Sequence, residues 1–357
     1  MKFLNNLKFA PRVAFDTGKT PMYLIFFATS RCNMRCEHCF YWDELNRKED
    51  EITLKEIEKI SKTMDPLLLL RITGGEPFLR RDIPEIIEIF YKNTRLRNVG
   101  INTNGYFTDR ILHDVQKILE AHNIGLDICV SVDDIPEHHD KNRDVKGSFE
   151  KVTKTIDGLN ELKKKYPTLT ITAGMTVTAE NQNRLPEIFE QIKKINPTFI
   201  SGNLIRGTPK KLNLKNLDIE NYRKFISLIR EYNASKNHNF FLSAKLKDKM
   251  QSNIIAKTYL TGEYQGINCV AGDKAAVLYS NGDVFPCELL NEKIGSLRDI
   301  NYDFRKIWDT ERRQKVASQI VNEKCFCTHE CFLSSSVWLK PKNLIVSAQT
   351  LMSSSQK

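Results

Sequence analysis

No stretch of this 357-residue chain is apolar for long enough to cross a bilayer, so no membrane partner is expected. A secretory signal is missing too: MKFLNNLKFAPRVAF is broken by Asn5, Asn6, Lys8 and Pro11 before an apolar run develops. Internal repeats are absent, and the one biased tract is the serine-rich end near Ser353. A disulfide scaffold is excluded by the way the cysteines are placed. Of nine, eight fall in two groups, and only Cys129 sits alone in a strand-like run. That is metal-ligand usage, and it implies a reducing cytoplasm. The formal charge of +10 is not gathered into a stripe. Lys163 to Lys165, Lys193 with Lys194, and Lys210 with Lys211 read as solvated faces, so nucleic acid is not expected as a partner. Apolar content of 41% and charged content of 27% are those of a folded soluble protein.

What is present is concentrated in TSRCNMRCEHCFYW, residues 29–42. Cys32, Cys36 and Cys39 stand as C-x-x-x-C-x-x-C, followed at once by Phe40. The preceding MYLIFFA (Met22 to Ala28) is β-branched and aromatic enough for a buried strand. The cysteines therefore sit on a loop at a strand's C-terminal end, where α/β proteins place their chemistry. Three thiolates are too few for structural zinc and one too many for a disulfide. They suit a [4Fe–4S] cube with one iron left open to an outside ligand. A zinc knuckle borrowing His38, or buried unpaired thiols, are the plainer alternatives.

This motif resembles the radical S-adenosylmethionine (SAM) superfamily. The resemblance implies that SAM chelates the open iron and that an electron from the cluster cleaves its sulfonium. The product would be a 5′-deoxyadenosyl radical that abstracts hydrogen from a substrate. It also implies an electron donor such as flavodoxin or ferredoxin.

Further strand–helix units follow. A helix is expected from about Thr53 to Met64, with Thr53 and Glu56 as a capping box. Strands are expected at Leu67 to Thr73, Asn98 to Thr103, Leu126 to Val132, Leu169 to Thr178 and Thr198 to Ile205. Helices lie between them, and a polar loop carries His138 and His139, read as solvated like His38. Six such units argue for a parallel sheet. Alternation alone leaves an open doubly wound sheet and an incomplete barrel equally possible; the resemblance implies a partial (β/α)6 barrel.

From about Asp218 to Leu260 the pattern is helical. Then Ala275 to Ser280 and Asp283 to Phe285 flank Asn281-Gly282, a hairpin for which a type I′ turn is expected. A short helix near Tyr302 to Ile320 leads to CFCTHEC. The division read from this is an N-terminal arm (1–19), a core (20–240), a helical bridge (241–264), a cysteine-rich domain (265–335) and a tail (336–357).

Gly74-Gly75-Glu76-Pro77, one strand after the cysteine loop, resembles the family's GGEP motif, which receives the SAM amino group. Ser131 and Arg143 resemble the pair that holds the SAM ribose and carboxylate, the guanidinium gripping through two hydrogen bonds. Asn104, Thr176 and Leu204 end later strands and are assigned to the adenosine pocket. Cys269 and Cys287, seventeen residues between them, with Cys325, Cys327 and Cys331, resemble the SPASM and twitch auxiliary-cluster domains. The full SPASM cysteine set is not matched, and no cysteine follows Cys331. Five thiolates close one auxiliary [4Fe–4S] cube with one to spare, assigned to Cys325 because Cys327 and Cys331 keep the family's spacing; zinc is the competing occupant. Glu288, next to Cys287, occupies the place of a carboxylate base, with a solvated hairpin end as the alternative. The expected function is a SAM-cleaving enzyme acting on a peptide or small molecule. From a different class, an iron–sulfur electron carrier or a zinc-binding interaction module stays open.

Overall fold

The computed structural model describes residues 12, 13, 18–236 and 242–343, with 242–251 as backbone alone. The serine-rich end lies outside these residues, as does most of the arm before residue 18. All six expected strands form: β1 (Tyr23–Thr29), β2 (Leu69–Gly74), β3 (Asn98–Thr103), β4 (Gly125–Ser131), β5 (Leu169–Val177) and β6 (Phe199–Leu204). Between them run α1 (Leu54–Lys62), α2 (Ile83–Thr94), α3 (Thr108–Ala121), α4 (Pro136–Arg143), α5 (Ser148–Lys165) and α6 (Leu185–Lys194). After β6 come α7 (Ile219–Lys236) and α8 (Leu242–Thr261).

The strands lie side by side in chain order, β1 to β6, each parallel to the next. A doubly wound sheet reverses its order at a switch point. Unbroken order with right-handed crossovers keeps every helix on one face, and that is a partial barrel. Ile72, Ile101, Ile128 and Ile171 stand in register across β2–β5 and are fully buried against the helices. The residues between them point the other way and alternate buried with half-buried in β4 and β5. A parallel sheet covered by apolar layers on both faces reads as continuously apolar. Here one face is apolar and the other opens on a cavity.

The C-terminal half does not stand apart. The strand β7 (Ala275–Leu278) pairs in parallel with β1, Tyr23 against Ala275 through Phe26 against Leu278. The antiparallel β8 (Asp283–Phe285) and β9 (Gly295–Ser296) extend the same sheet to nine strands. The helices α9 (Phe304–Trp308), α10 (Glu311–Asn322) and α11 (Glu330–Leu339) follow among the described residues. A second apolar core joins Tyr23, Ile25 and Phe27 of β1 to Val277, Val316, Ile320 and Phe332. The inner face of β1 is thus roofed by the C-terminal helices, while β2–β6 face the cavity.

Three local expectations are corrected. The Asn-Gly turn is not type I′: Gly282 alone of the pair has positive φ, at 91°. Gly282 N–H bonds Tyr279 O and Tyr279 N–H bonds Asp283 O, which makes a three-residue loop with a bulge at the glycine. The stretch expected as a polar loop contains α4, begun by Pro136 in its first turn. The single helix expected over 302–320 is two, because Thr310 caps a fresh start at α10. The Thr53 box forms as expected, with Thr53 Oγ1 accepting from Glu56 N and Glu56 Oε2 accepting from Thr53 N at 2.6 Å. Thr53→Ala is expected to lower stability by about 1 kcal/mol, read as an earlier urea midpoint with unchanged slope.

Candidate active site

The inner face opens into a cavity of about 480 Å³. The thiols of Cys32, Cys36 and Cys39 reach it from the loop after β1. Gly74 and Gly75 end β2 on its wall; Asn104 follows β3; Ser131, Thr176 and Leu204 close β4, β5 and β6. Phe40 and Arg143 line it as well. Of the residues assigned from sequence to the cofactor, only Glu76 is missing from this wall.

Glu76 is fully buried and holds the loop together. Its carboxylate accepts from Asn104 N at 2.7 Å, Thr103 Oγ1 at 2.8 Å and Phe78 N at 3.1 Å. Burial pushes it up to about 7 despite these donors. The glycines before it admit the cysteine loop. Gly75 N bonds Thr29 O and Glu76 N bonds Arg31 O, both at 2.8 Å. A Cβ on Gly75 would stand 2.1 Å from Arg31 O. So the pair of glycines docks the β1 loop onto the β2 loop, a reason for Gly-Gly additional to any ligand.

The helix α4 carries the cationic side of the site. Arg143 is buried and paired with Asp133, Nε to Oδ2 at 2.8 Å and Nη2 to Oδ2 at 2.5 Å. The Asp133 carboxyl is buried, yet Arg143 holds it well below the usual range. The side-on edge of the Arg143 fork is therefore occupied, and the Cys36 thiol also lies within reach of the guanidinium. His139, four residues earlier on the same helix, was expected in solvent but is fully buried, Nδ1 accepting from Asp133 N at 3.2 Å. Burial, reinforced by Arg143, lowers it to about 4. His38 is not outward either: it lines the cavity, meets the Asn142 amide and lies 3.8 Å from Asp133. Burial lowers its pKa below that of a free imidazole. His138 and His38 are both half-buried, and His139 alone of the three is fully enclosed.

Deeper in the barrel lies a polar group that the sequence reading missed. Arg71 Nη1 donates to Asn102 Oδ1 at 2.9 Å, its Nη2 lies 3.4 Å from Asp127 Oδ2, and Thr172 Oγ1 donates to Asp127 Oδ1 at 2.7 Å. A Cβ on Gly100 would stand 2.6 Å from the Arg71 guanidinium carbon, so glycine there gives the arginine its room. A lone arginine inside LLLLRIT was the available signal.

In the C-terminal half, Glu288 is neither a solvated hairpin end nor a residue of the cavity wall. It is buried between Arg206 Nη2 and His329 Nε2, each 2.9 Å from its Oε1 as an ion pair without good hydrogen-bond alignment. These cations outweigh its burial and hold it down to about 2. Arg206 does reach the cavity, its guanidinium 4.8 Å over the Phe40 ring.

The donor sets fit clusters. Burial pushes Cys32 up to about 11 and Cys39 up to about 12 as free thiols, a penalty that binding to iron as thiolate removes. Among the described residues, no three His, Cys, Asp or Glu groups converge on a single ion, as a mononuclear zinc site would require.

Residues 27–192 match the model of the radical SAM superfamily, and residues 269–332 match SPASM, an iron–sulfur cluster-binding domain. The chain is a radical SAM protein with a SPASM domain. Its cofactors are accordingly a SAM-binding [4Fe–4S] cluster, SAM and auxiliary iron–sulfur. The radical SAM chain is 24% identical over 322 residues to the antilisterial bacteriocin subtilosin biosynthesis protein AlbA of Bacillus subtilis, over 85% of this chain and 65% of AlbA. It is 28% identical over 240 residues to Fe-coproporphyrin III synthase of Methanosarcina barkeri, over 62% and 57%. It thus spans less than two thirds of either curated relative. The same fold occurs in anSMEcpe with bound AdoMet (TM-score 0.59, 18% identity, 93% of this chain and 98% of that one). It recurs in Streptococcus suis SuiB bound to its precursor peptide SuiA (0.60, 17%, 88% and 71%).

Removing one member of a buried ion pair leaves the other uncompensated, at a cost of roughly 3–5 kcal/mol. Asp133→Ala is expected to destabilise the protein by that order, with Arg143 stranded; denaturation of the metal-free chain measures it.

Proposed function

We propose that this radical SAM protein is an enzyme that cleaves SAM at a [4Fe–4S] cluster on Cys32, Cys36 and Cys39 and modifies a peptide. The observation that carries the reading is one cavity lined both by the three thiols and by the strand-end residues that suit a nucleoside with an amino acid tail. When bound, cluster and SAM supply a 5′-deoxyadenosyl radical able to take hydrogen from an unactivated carbon. The chain's own residues bind and orient. Gly74 and Gly75 offer backbone groups to the SAM amino group, and Ser131 a hydroxyl to its ribose. Arg143 offers its guanidinium to the carboxylate. Phe40, Asn104, Thr176 and Leu204 enclose the adenosine. Glu288, the base expected from sequence, also holds Arg206 in position.

The peptide reading is supported by AlbA, a bacteriocin biosynthesis protein aligned over most of this chain, and by the peptide-bound SuiB of like fold. A small flavodoxin- or ferredoxin-type protein is the proposed electron donor, in the cytoplasm. No described helix is long and apolar enough to cross a membrane.

The test is anaerobic incubation of the iron-loaded protein with SAM and reductant, following 5′-deoxyadenosine. Replacing Cys32, Cys36 and Cys39 together with Ala is expected to abolish it while auxiliary iron is retained; undiminished cleavage would overturn the reading. Arg143→Lys keeps a cation for Asp133 but loses the planar fork. It is expected to weaken SAM binding about tenfold or more, measured by equilibrium dialysis, with iron content unchanged.

A further inference from the structure

Each arginine on the cavity wall stands against a carboxylate: Arg143 with Asp133, Arg206 with Glu288, and Arg71 with Asp127. The first two pairs are shut, with contacts of 2.5 and 2.9 Å and carboxylates only 3% and 4% exposed. The third is open. Arg71 and Asp127 stand 3.4 Å apart, and their side chains keep 19% and 28% exposure on the cavity they line.

Sheet register puts them there. Arg71 and Asp127 flank Gly100 in one row across β2, β3 and β4. Because Gly100 has no side chain, the guanidinium can lie across it towards Asp127. Asn102 and Thr172 brace the two ends: Asn102 Oδ1 accepts from Arg71 Nη1, and Thr172 Oγ1 donates to Asp127 Oδ1. The arginine bond fixes which way the Asn102 amide faces. Among the described residues, no acceptor takes its Nδ2. The row thus offers two donors, Arg71 and Asn102, and one loosely engaged acceptor, Asp127 Oδ2.

The chemistry of this row selects its occupant. A carboxylate against Arg71 would have Asp127 beside it, and an ammonium against Asp127 would have Arg71 beside it. Each attraction would be met by a repulsion at similar range. An apolar group would cover the pair, stripping both ions of solvent without replacing their hydrogen bonds. What fits is a neutral group that accepts from Arg71 or Asn102 and donates to Asp127. A carboxamide does both, through an oxygen and an NH2 on one carbon. Depth narrows the choice further. Asp127 is four residues before Ser131, about 13 Å along the strand from the end assigned to SAM. A long side chain reaches that far from a backbone held nearer the mouth; serine and threonine hydroxyls, one bond beyond Cβ, do not.

We propose that Arg71 and Asp127, with Asn102, form a specificity subsite that takes the side-chain carboxamide of a glutamine or asparagine in the peptide substrate. This rests on the reading of the cavity as the place where SAM meets a peptide. Its test is one of binding, with SAM present and no reductant. Failure here leaves SAM cleavage at the cysteine loop standing, because that is read separately from 5′-deoxyadenosine.

The probes are N-acetyl-Gly-Xaa-Gly-N-methylamides with Xaa as Gln, Glu, Lys, Thr or Leu. They are titrated against the anaerobic iron-loaded holoprotein by ligand-observed saturation-transfer NMR. The wild type should bind the Gln probe about tenfold more tightly than the other four. Asp127→Asn keeps the size of the side chain and an oxygen for Thr172, and leaves Arg71 uncompensated. In that variant the Glu probe should overtake the Gln probe. A pair with only a structural role would weaken all five probes together and keep their order. Absence of binding by the Gln probe, equal binding of the Leu or Glu probe to the wild type, or an unchanged order in Asp127→Asn would each overturn the proposal.

Discussion

Strand β1 is hydrogen-bonded on both sides, to β2 and to β7, and packed on both faces. Its outward residues Leu24 and Phe26 belong to the helix-side core; its inward Tyr23, Ile25 and Phe27 lie under the C-terminal helices. A strand so enclosed is the least mobile element a sheet offers. The three-cysteine loop leaves from its C-terminal end, and the Tyr23 ring packs 6.5 Å from Phe332, the residue after Cys331. The two cysteine regions are thus referred to a single rigid strand and are not joined by a linker. Their separation is set by covalent chain and sheet register, which is what electron exchange over a fixed gap requires.

The inner face of β2–β6 carries the opposite logic. Arg71, Asn102, Asp127 and Thr172 sit where an ordinary barrel stacks valine and isoleucine. Replacing a buried ionic group by apolar side chains of like volume is commonly neutral or stabilising. Their retention in the interior is an argument for use, since natural sequences break local rules at functional sites. The outer face shows what pure stability looks like, with four isoleucines in register.

Much of this was legible. Strands and the cysteine loop follow from apolar runs ended by glycine or cysteine, and the Thr53 box follows from four residues. The parts that were not legible have physical causes. The segment PEHHDKNR has no apolar stripe, so nothing in it announces α4. It is helical because Pro136 starts it, and because His139 and Arg143, four apart, share the face turned toward Asp133. The ion pairs of Glu288 were hidden because its partners, Arg206 and His329, are remote in sequence. The Asn-Gly turn took the bulged form because Tyr279 N–H pairs with Asp283 O, which leaves three residues in the loop.

The β1–β7 pairing also fixes an order of events. Its two strands are separated by about 250 residues of chain, so β1 emerges during synthesis with one edge still bare. Contacts of such high sequence separation form late, and an unpaired apolar edge is a site for association with other chains. The loop carrying Cys32, Cys36 and Cys39 leaves β1 and docks on β2 while the residues of β7 are still unmade. Assembly of the sheet is therefore polarised along the gene: β1 and β2 can pair as an open half-sheet, and arrival of the C-terminal strands seals its bare edge.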